Sequence, residues 1–194
     1  MPETKGTCRC KTDCHCQSTT CGCKPKCDCA STCHCKPEHN PACGNPHDAV
    51  AFLRSYNTSV HDHFYTTNAG EMETAITSLG YSSEGDACYV FKTQVGATIP
   101  LYRTYDPTVY DHFYTTSLEE RNEAVAKNGH VAEGIAAYVY GTQICGSIPL
   151  YRVENAKIAD HFYTTSLSER NNAISSLGYV DEGISCYVLP VPGS

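Results

Sequence analysis

The chain has 194 residues, a formal net charge of −7 and no run near the roughly 18 apolar residues of a membrane span. A membrane-spanning role is therefore not expected. The 14 cysteines are unevenly placed: eleven lie between Cys8 and Cys43, and residues 1–46 contain no Phe, Tyr, Leu, Ile or Val.

Residues 1–46 read as one domain and 47–194 as another. The first part cannot bury enough apolar surface to offset the entropy of ordering its backbone, so something other than a hydrophobic core must fold it. It carries a small positive balance, while residues 47–194 are strongly acidic. Such a surface repels phosphate backbones, so no nucleic-acid partner is expected. The opening stretch MPETKGTCRC has no apolar segment of the secretory type. The default expectation is the cytoplasm, with non-classical secretion as an alternative.

Along the first part the cysteines run as five C-x-C pairs: Cys8 with Cys10, Cys14 with Cys16, Cys21 with Cys23, Cys27 with Cys29 and Cys33 with Cys35, followed by Cys43. C-x-C sets successive thiolates close together, which suits bridging between neighbouring ions better than the C-x-x-C of an isolated zinc site. Thiolates select soft or borderline ions, here Cu(I), Zn(II) or Cd(II). His15 and His34, each inside a C-H-C triplet, read either as extra ligands or as spacers. The competing reading is a disulfide framework, for which eleven cysteines is an odd count. On these pairs, the absent aromatics and the interleaved lysines, the segment resembles metallothioneins. That resemblance implies metal storage or detoxification in a thiolate cluster, with folding coupled to metal.

From Val50 onward the sequence repeats every 49 residues, as units 50–98, 99–147 and 148–194. Each opens on an apolar–Arg segment, VAFLR or IPLYR, carrying Arg54, Arg103 or Arg152. A strand pattern, DHFYTT, follows at Asp62, Asp111 and Asp160. Asn68…Glu71, Ser117…Glu120 and Ser166…Glu169 are capping-box signals, in which the Glu is expected to reach back to the N-cap amide. Gly80, Gly129 and Gly178 close the helices. An E-G pair then precedes a Y-V strand, the glycine marking a turn or bulge. The expected fold is α+β: three pseudo-symmetric strand–strand–helix–strand repeats, closed as a ring or set in an open row. In the ring, each Y-V strand would join the sheet of the following unit.

Alternation on a DHFYTT strand separates Asp and Phe from His and Tyr. Phe64, Phe113 and Phe162 are expected in the core, and Asp62, Asp111 and Asp160 beside the repeat arginines. Asp62, His63, Tyr65, Asp111, His112, Tyr114, Asp160, His161 and Tyr163, with Arg54, Arg103 and Arg152, are candidate ligand contacts. Planar polar groups and aromatic faces suit a glycan, and three weak sites would gain by avidity. The alternative is that the hexapeptide only restates packing, in a structural or adhesive protein with a disulfide-bonded tail. No Gly-rich phosphate loop or H-E-x-x-H is present, so an enzyme is not expected. Cys88 and Cys186 occupy equivalent positions and read as buried free thiols, while Cys145 reads as isolated. The blocks P-[LV]-Y-R, D-H-F-Y-T-T and E-G resemble an uncharacterised repeat family of fungal and bacterial proteins. Its members' attachment to wall-active modules implies a binding or adhesion role.

Overall fold

The computed structural model describes residues 40–193 and, before them, the backbone of Cys16–Gln17 and Thr20–Cys21. Two compact units divide at Asn40/Pro41. In the first, β1 (Cys16–Gln17) and β2 (Thr20–Cys21) pair antiparallel with Cys16 opposite Cys21. Of the expected thiolate ligands, Cys8, Cys10, Cys14, Cys23, Cys27, Cys29, Cys33 and Cys35 lie outside the described residues, as do the side chains of Cys16 and Cys21. His15 and His34 lie outside them too.

The second unit begins six residues earlier than the composition shift at His47 suggests. The amide of Ala97 donates to the Ala42 carbonyl at 2.8 Å, and that of Gly44 to the Tyr140 hydroxyl at 3.1 Å. At Gly96 a Cβ would stand 2.3 Å from the Ala42 oxygen, so only glycine admits this approach. A disulfide joins Cys43 to Cys145, with a sequence separation of 102. Neither cysteine is therefore as expected: Cys145 is not isolated, and Cys43 is held by a covalent bond that removes it from the thiolate set.

A 3-10 turn at Pro46–Asp48 leads into three blocks of strand, strand, helix, strand. They are β3 (Val50–Asn57), β4 (Asp62–Thr66), α1 (Ala69–Ser78) and β5 (Ser82–Val90); β6 (Thr98–Asp106), β7 (Asp111–Thr115), α2 (Leu118–Lys127) and β8 (Val131–Tyr140); and β9 (Ile148–Asn155), β10 (Asp160–Thr164), α3 (Leu167–Ser176) and β11 (Val180–Val188). The chain is thus α+β and mostly strand.

All pairings among the described residues are antiparallel, and the Y-V strand returns to its own block: β5 pairs β3 with Val90 opposite Val50, and β11 pairs β9 with Val188 opposite Ile148. The expected exchange of this strand with the following unit does not occur. The chain leaves each hexapeptide strand through the helix and returns on the far side of the first strand, which lies between the other two. Between blocks the backbone contributes only single pairs, Tyr187 with Tyr140, Tyr89 with Leu189 and Phe91 with Tyr138. Side chains carry the rest.

Asn68, Ser117 and Ser166 cap the helices by accepting from the amide of Glu71, Glu120 or Glu169. The reciprocal half of the capping box is absent. The N-cap amides donate instead to the hydroxyls of Thr66, Thr115 and Thr164, each at 3.0 Å. Those hydroxyls in turn donate to the glutamates. The helices bury little: Met72 and Ala75 in α1, and a single alanine, Ala124 or Ala173, in each of the others. Gly85 (φ +80°) sits where the β3–β5 register shifts, opposite Arg54. This is the bulge that the E-G pair announces, and it places Glu84 beside that arginine.

The core is centred on Tyr65, Tyr114 and Tyr163, each at most 1% exposed. Tyr65 donates its hydroxyl to the Tyr163 carbonyl (2.7 Å), Tyr163 to that of Tyr114 (2.8 Å) and Tyr114 to that of Tyr65 (2.7 Å). Each hydroxyl also accepts, at 2.9 Å, from the amide of the residue whose carbonyl it holds. Phe52, Leu101, Leu150 and the free thiols Cys88 and Cys186 pack around them. Burial pushes the Cys186 thiol up to about 12 and that of Cys88 well above its ordinary value, so both are inert small hydrophobes.

Candidate functional site

The sites lie where blocks meet, and each is built from the same hexapeptide strands. Asp62 Oδ1 accepts from the His112 amide at 2.9 Å and Oδ2 from His112 Nδ1 at 2.6 Å. Asp111 does the same for His161, and Asp160 for His63. A carboxylate only accepts, so Nδ1 carries the proton and the ring is fixed with Nε2 directed away from the aspartate. The Tyr81 hydroxyl donates to Asp62 and that of Tyr179 to Asp160. At the middle position His130 replaces this tyrosine; its Nδ1 is 3.0 Å from the Thr104 hydroxyl.

The arginines do not meet these aspartates, contrary to expectation. Arg103 forms a two-pronged pair with Glu71 (3.2 and 2.8 Å), and its guanidinium lies 5.4 Å over the Phe64 ring. Its Nε is 2.8 Å from Glu133 Oε2, an ionic contact in which the N–H is not aimed at the oxygen. Arg152 repeats this with Glu120, Glu182 and Phe113, and Arg54 with Glu169, Glu84 and Phe162. In every case the helix-cap glutamate belongs to a different block from the arginine. The planar fork of Arg matches a carboxylate and stacks on an aromatic face at once.

These contacts give a pH signature. Burial would raise the carboxyls of Glu71, Glu120 and Glu169, but the Arg and Thr hydrogen bonds outweigh it and hold all three below the usual glutamate value of 4.5. A depressed folded value means that stability is present above the unfolded value and lost as pH falls through the folded one. The thermal midpoint is expected to drop steeply below pH 4.5, and to drop less in a Glu71→Gln/Glu120→Gln/Glu169→Gln variant. Equal slopes in melts from neutral pH to pH 3 would refute this assignment. His161 moves the other way: burial opposes its charge, but Asp111 prevails and holds it above its ordinary value.

Several expected ligand contacts are internal. Tyr65, Tyr114 and Tyr163 are sealed in the core, and Asp62, Asp111 and Asp160 are also buried. They cannot touch a glycan, because their polar atoms are taken by neighbouring blocks. His63 is buried too, whereas His112, His161 and the three arginines are only partly buried and border the surface. At the meeting of the first two blocks Arg103, His112 and Glu71 line a cavity of about 460 Å³ with Asn57, Tyr105 and Tyr110. Tyr105 lies over the His112 ring (centroids 4.5 Å apart), and Tyr110 is 48% exposed with φ +64°. Sequence reasoning missed Tyr105, Tyr110 and the E-G glutamates. The fixed 49-residue recurrence of Glu84, Glu133 and Glu182 was the available signal.

A family model described as "Domain of unknown function (DUF5648)" matches residues 51–189. No curated protein and no solved structure matches the chain.

Proposed function

The chain belongs to the DUF5648 family of domains of unknown function, and on that footing we propose that its second unit is a saccharide-binding module and its first a soft-metal thiolate store. In this reading the three blocks are repeats closed into a pseudo-threefold ring, supported by the tyrosine, Asp–His and Arg–Glu contacts that run from first to second, second to third and third to first. The saccharide reading rests on the cavity between the first two blocks. Tyr105 and Tyr110 offer apolar faces with polar tips, and Arg103, His112 and Glu71 are planar groups held by their own partners. A concave site with a few fixed polar groups on rigid strands is what a small polar ring needs.

The test is an array of bacterial and fungal wall saccharides, followed by titration calorimetry on the best hit. Binding is expected for the wild type and weakened at least about tenfold in Tyr110→Ala, since hot-spot aromatics carry more than ~1 kcal/mol, with the circular dichroism melt unchanged. Absence of any hit for the folded wild type would sink the reading.

The metal reading rests on the five C-x-C pairs, which remain after Cys43 is assigned to its disulfide. The ten thiolates from Cys8 to Cys35 suit Cu(I), Zn(II) or Cd(II). The Cys43–Cys145 bond favours an oxidising compartment over the cytoplasm, where bound metal would shield those thiolates. Elemental analysis of protein purified under mild conditions should find several soft ions per chain; none, with the ten cysteines recovered as disulfides, would overturn it.

A further inference from the structure

The contact between the second and third blocks departs from the other two at the positions that matter for metal chemistry. In the first and second blocks the residue opposite the hexapeptide histidine is a tyrosine: Tyr56 faces His63 and Tyr105 faces His112. Each ring lies within 4.5 Å of its imidazole. In the third block the same register places Glu154 opposite His161. A stacking partner is thus exchanged for a carboxylate. The turn from β9 to β10 changes as well: Ala159, two residues before His161, occupies the left-handed position held by His61 and Tyr110 elsewhere, which replaces a bulky side chain by a methyl group.

From these differences we propose that Glu154, His161 and Glu182 form a binding site for one divalent first-row transition ion, with Zn²⁺ as the best match to its one nitrogen and two oxygen donors. One ligand atom from each of the three lies within 4.8 Å of the other two. His161 Nδ1 is bound to Asp111 Oδ2 at 2.7 Å, so the nitrogen left to a metal is Nε2, and it stands 3.9 Å from Glu182 Oε2. Bonds of 2.0–2.2 Å in a tetrahedral zinc site separate the ligand atoms by about 3.4 Å. Small side-chain rotations close the remaining gap. A histidine whose second ring nitrogen donates to a carboxylate is the usual outer support of such a ligand, fixing its tautomer and raising its basicity.

Charge and scaffold agree with this assignment. Glu154 forms no ion pair with any described residue. Glu182 shares Arg152 with Glu120, at 2.8 Å to each. Four carboxylates, those of Asp111, Glu120, Glu154 and Glu182, thus gather about Arg152 and His161, and they outnumber the two basic groups. The ligands sit on three adjacent strands, with β9 in the middle between β10 and β11, so the backbone holds them in place before any ion arrives. At the two other contacts His63–Glu84 and His112–Glu133 repeat the 3.9 Å approach, but the third ligand is a tyrosine, and the site is incomplete. The remaining positions about the ion are open to water, which distinguishes this site from a closed thiolate cluster.

The test uses the full chain with its accessible thiols blocked by iodoacetamide, so that the cysteine-rich segment does not take up zinc. Zn²⁺ is titrated by calorimetry, and the histidine ring nitrogens are followed by ¹⁵N NMR. One ion per chain is expected, with the His161 Nε2 resonance shifted. Glu154→Tyr, which restores the residue found in the other two blocks, and Glu154→Gln should each weaken binding at least about tenfold without altering the fold. No zinc uptake by the wild type up to millimolar concentration would overturn the proposal. So would equal uptake by both Glu154 variants, or uptake that leaves His161 Nε2 unmoved.

Discussion

Tyr114→Phe is expected to lower the free energy of unfolding by about 2–5 kcal/mol, an effect out of proportion to the loss of one oxygen. The missing hydroxyl donates to the Tyr65 carbonyl at 2.7 Å and accepts from the Tyr65 amide at 2.9 Å. Both backbone groups are buried with their block, and each unsatisfied one costs about 1–3 kcal/mol. No water can reach them, because Tyr65 and Tyr114 are at most 1% exposed. Tyr110→Phe, at a half-exposed ring, is the control and should change stability by less than about 0.5 kcal/mol. Urea unfolding followed by far-ultraviolet circular dichroism separates the two. Because the three tyrosines hold one another, Tyr65→Phe/Tyr114→Phe should cost a different amount from the sum of the single changes. Wild-type stability in Tyr114→Phe would show that the hydroxyls contribute no net hydrogen bonding.

The second large effect belongs to the disulfide. Cys43→Ser/Cys145→Ser opens a loop spanning a sequence separation of 102. Closing a loop of about 100 residues in the unfolded chain is worth up to about 4.7 kcal/mol in the chain-entropy treatment, and measured losses of native bonds run about 2–5 kcal/mol. The double change avoids leaving a thiol free to pair with the cysteine-rich segment. The loss should be global in denaturant melts. It should also appear locally: the Ala97 amide, donor to Ala42 at 2.8 Å, is expected to exchange its hydrogen faster than the β3 and β6 amides. An unchanged midpoint would mean that residues 41–46 are held without the covalent link.

The fidelity of DHFYTT now has a physical cause. A strand shows alternate residues to opposite sides. In β4 one side presents Asp62 and Phe64 to His112 and Arg103 of the second block. The other side presents His63 and Tyr65 to Asp160 and Tyr163 of the third. Every member of the hexapeptide from Asp to the first Thr has a partner in another block or in its own helix cap. No single position can drift unless a matching one elsewhere changes too. This also explains why the tyrosines made poor candidates for ligand contact although their chemistry suited it. Their identity serves packing, whereas Tyr105, Tyr110 and Glu154 lie at positions whose residue differs between blocks.

The sequence by itself determined the local structure. Regular 49-residue spacing, capping residues, helix-ending glycines and period-two apolar runs specify three blocks of strand, strand, helix and strand, because each of these signals acts over a few residues of chain. It also marked the change from a cysteine-rich segment without Phe, Tyr, Leu, Ile or Val to one rich in aromatics, although the structural boundary falls six residues earlier, at Asn40/Pro41. Partnership was decided only by the tertiary structure. The arginines have both Asp and Glu within reach in sequence, and selection between them depends on which carboxylate an adjacent block brings to the guanidinium. The return of β5 to β3, the bond from Cys43 to Cys145 and the meeting of Glu154, His161 and Glu182 are likewise contacts between residues far apart along the chain or on opposite strands. Composition and spacing carry no information about them, since they follow from how buried aromatic surface and charge pairs are satisfied together.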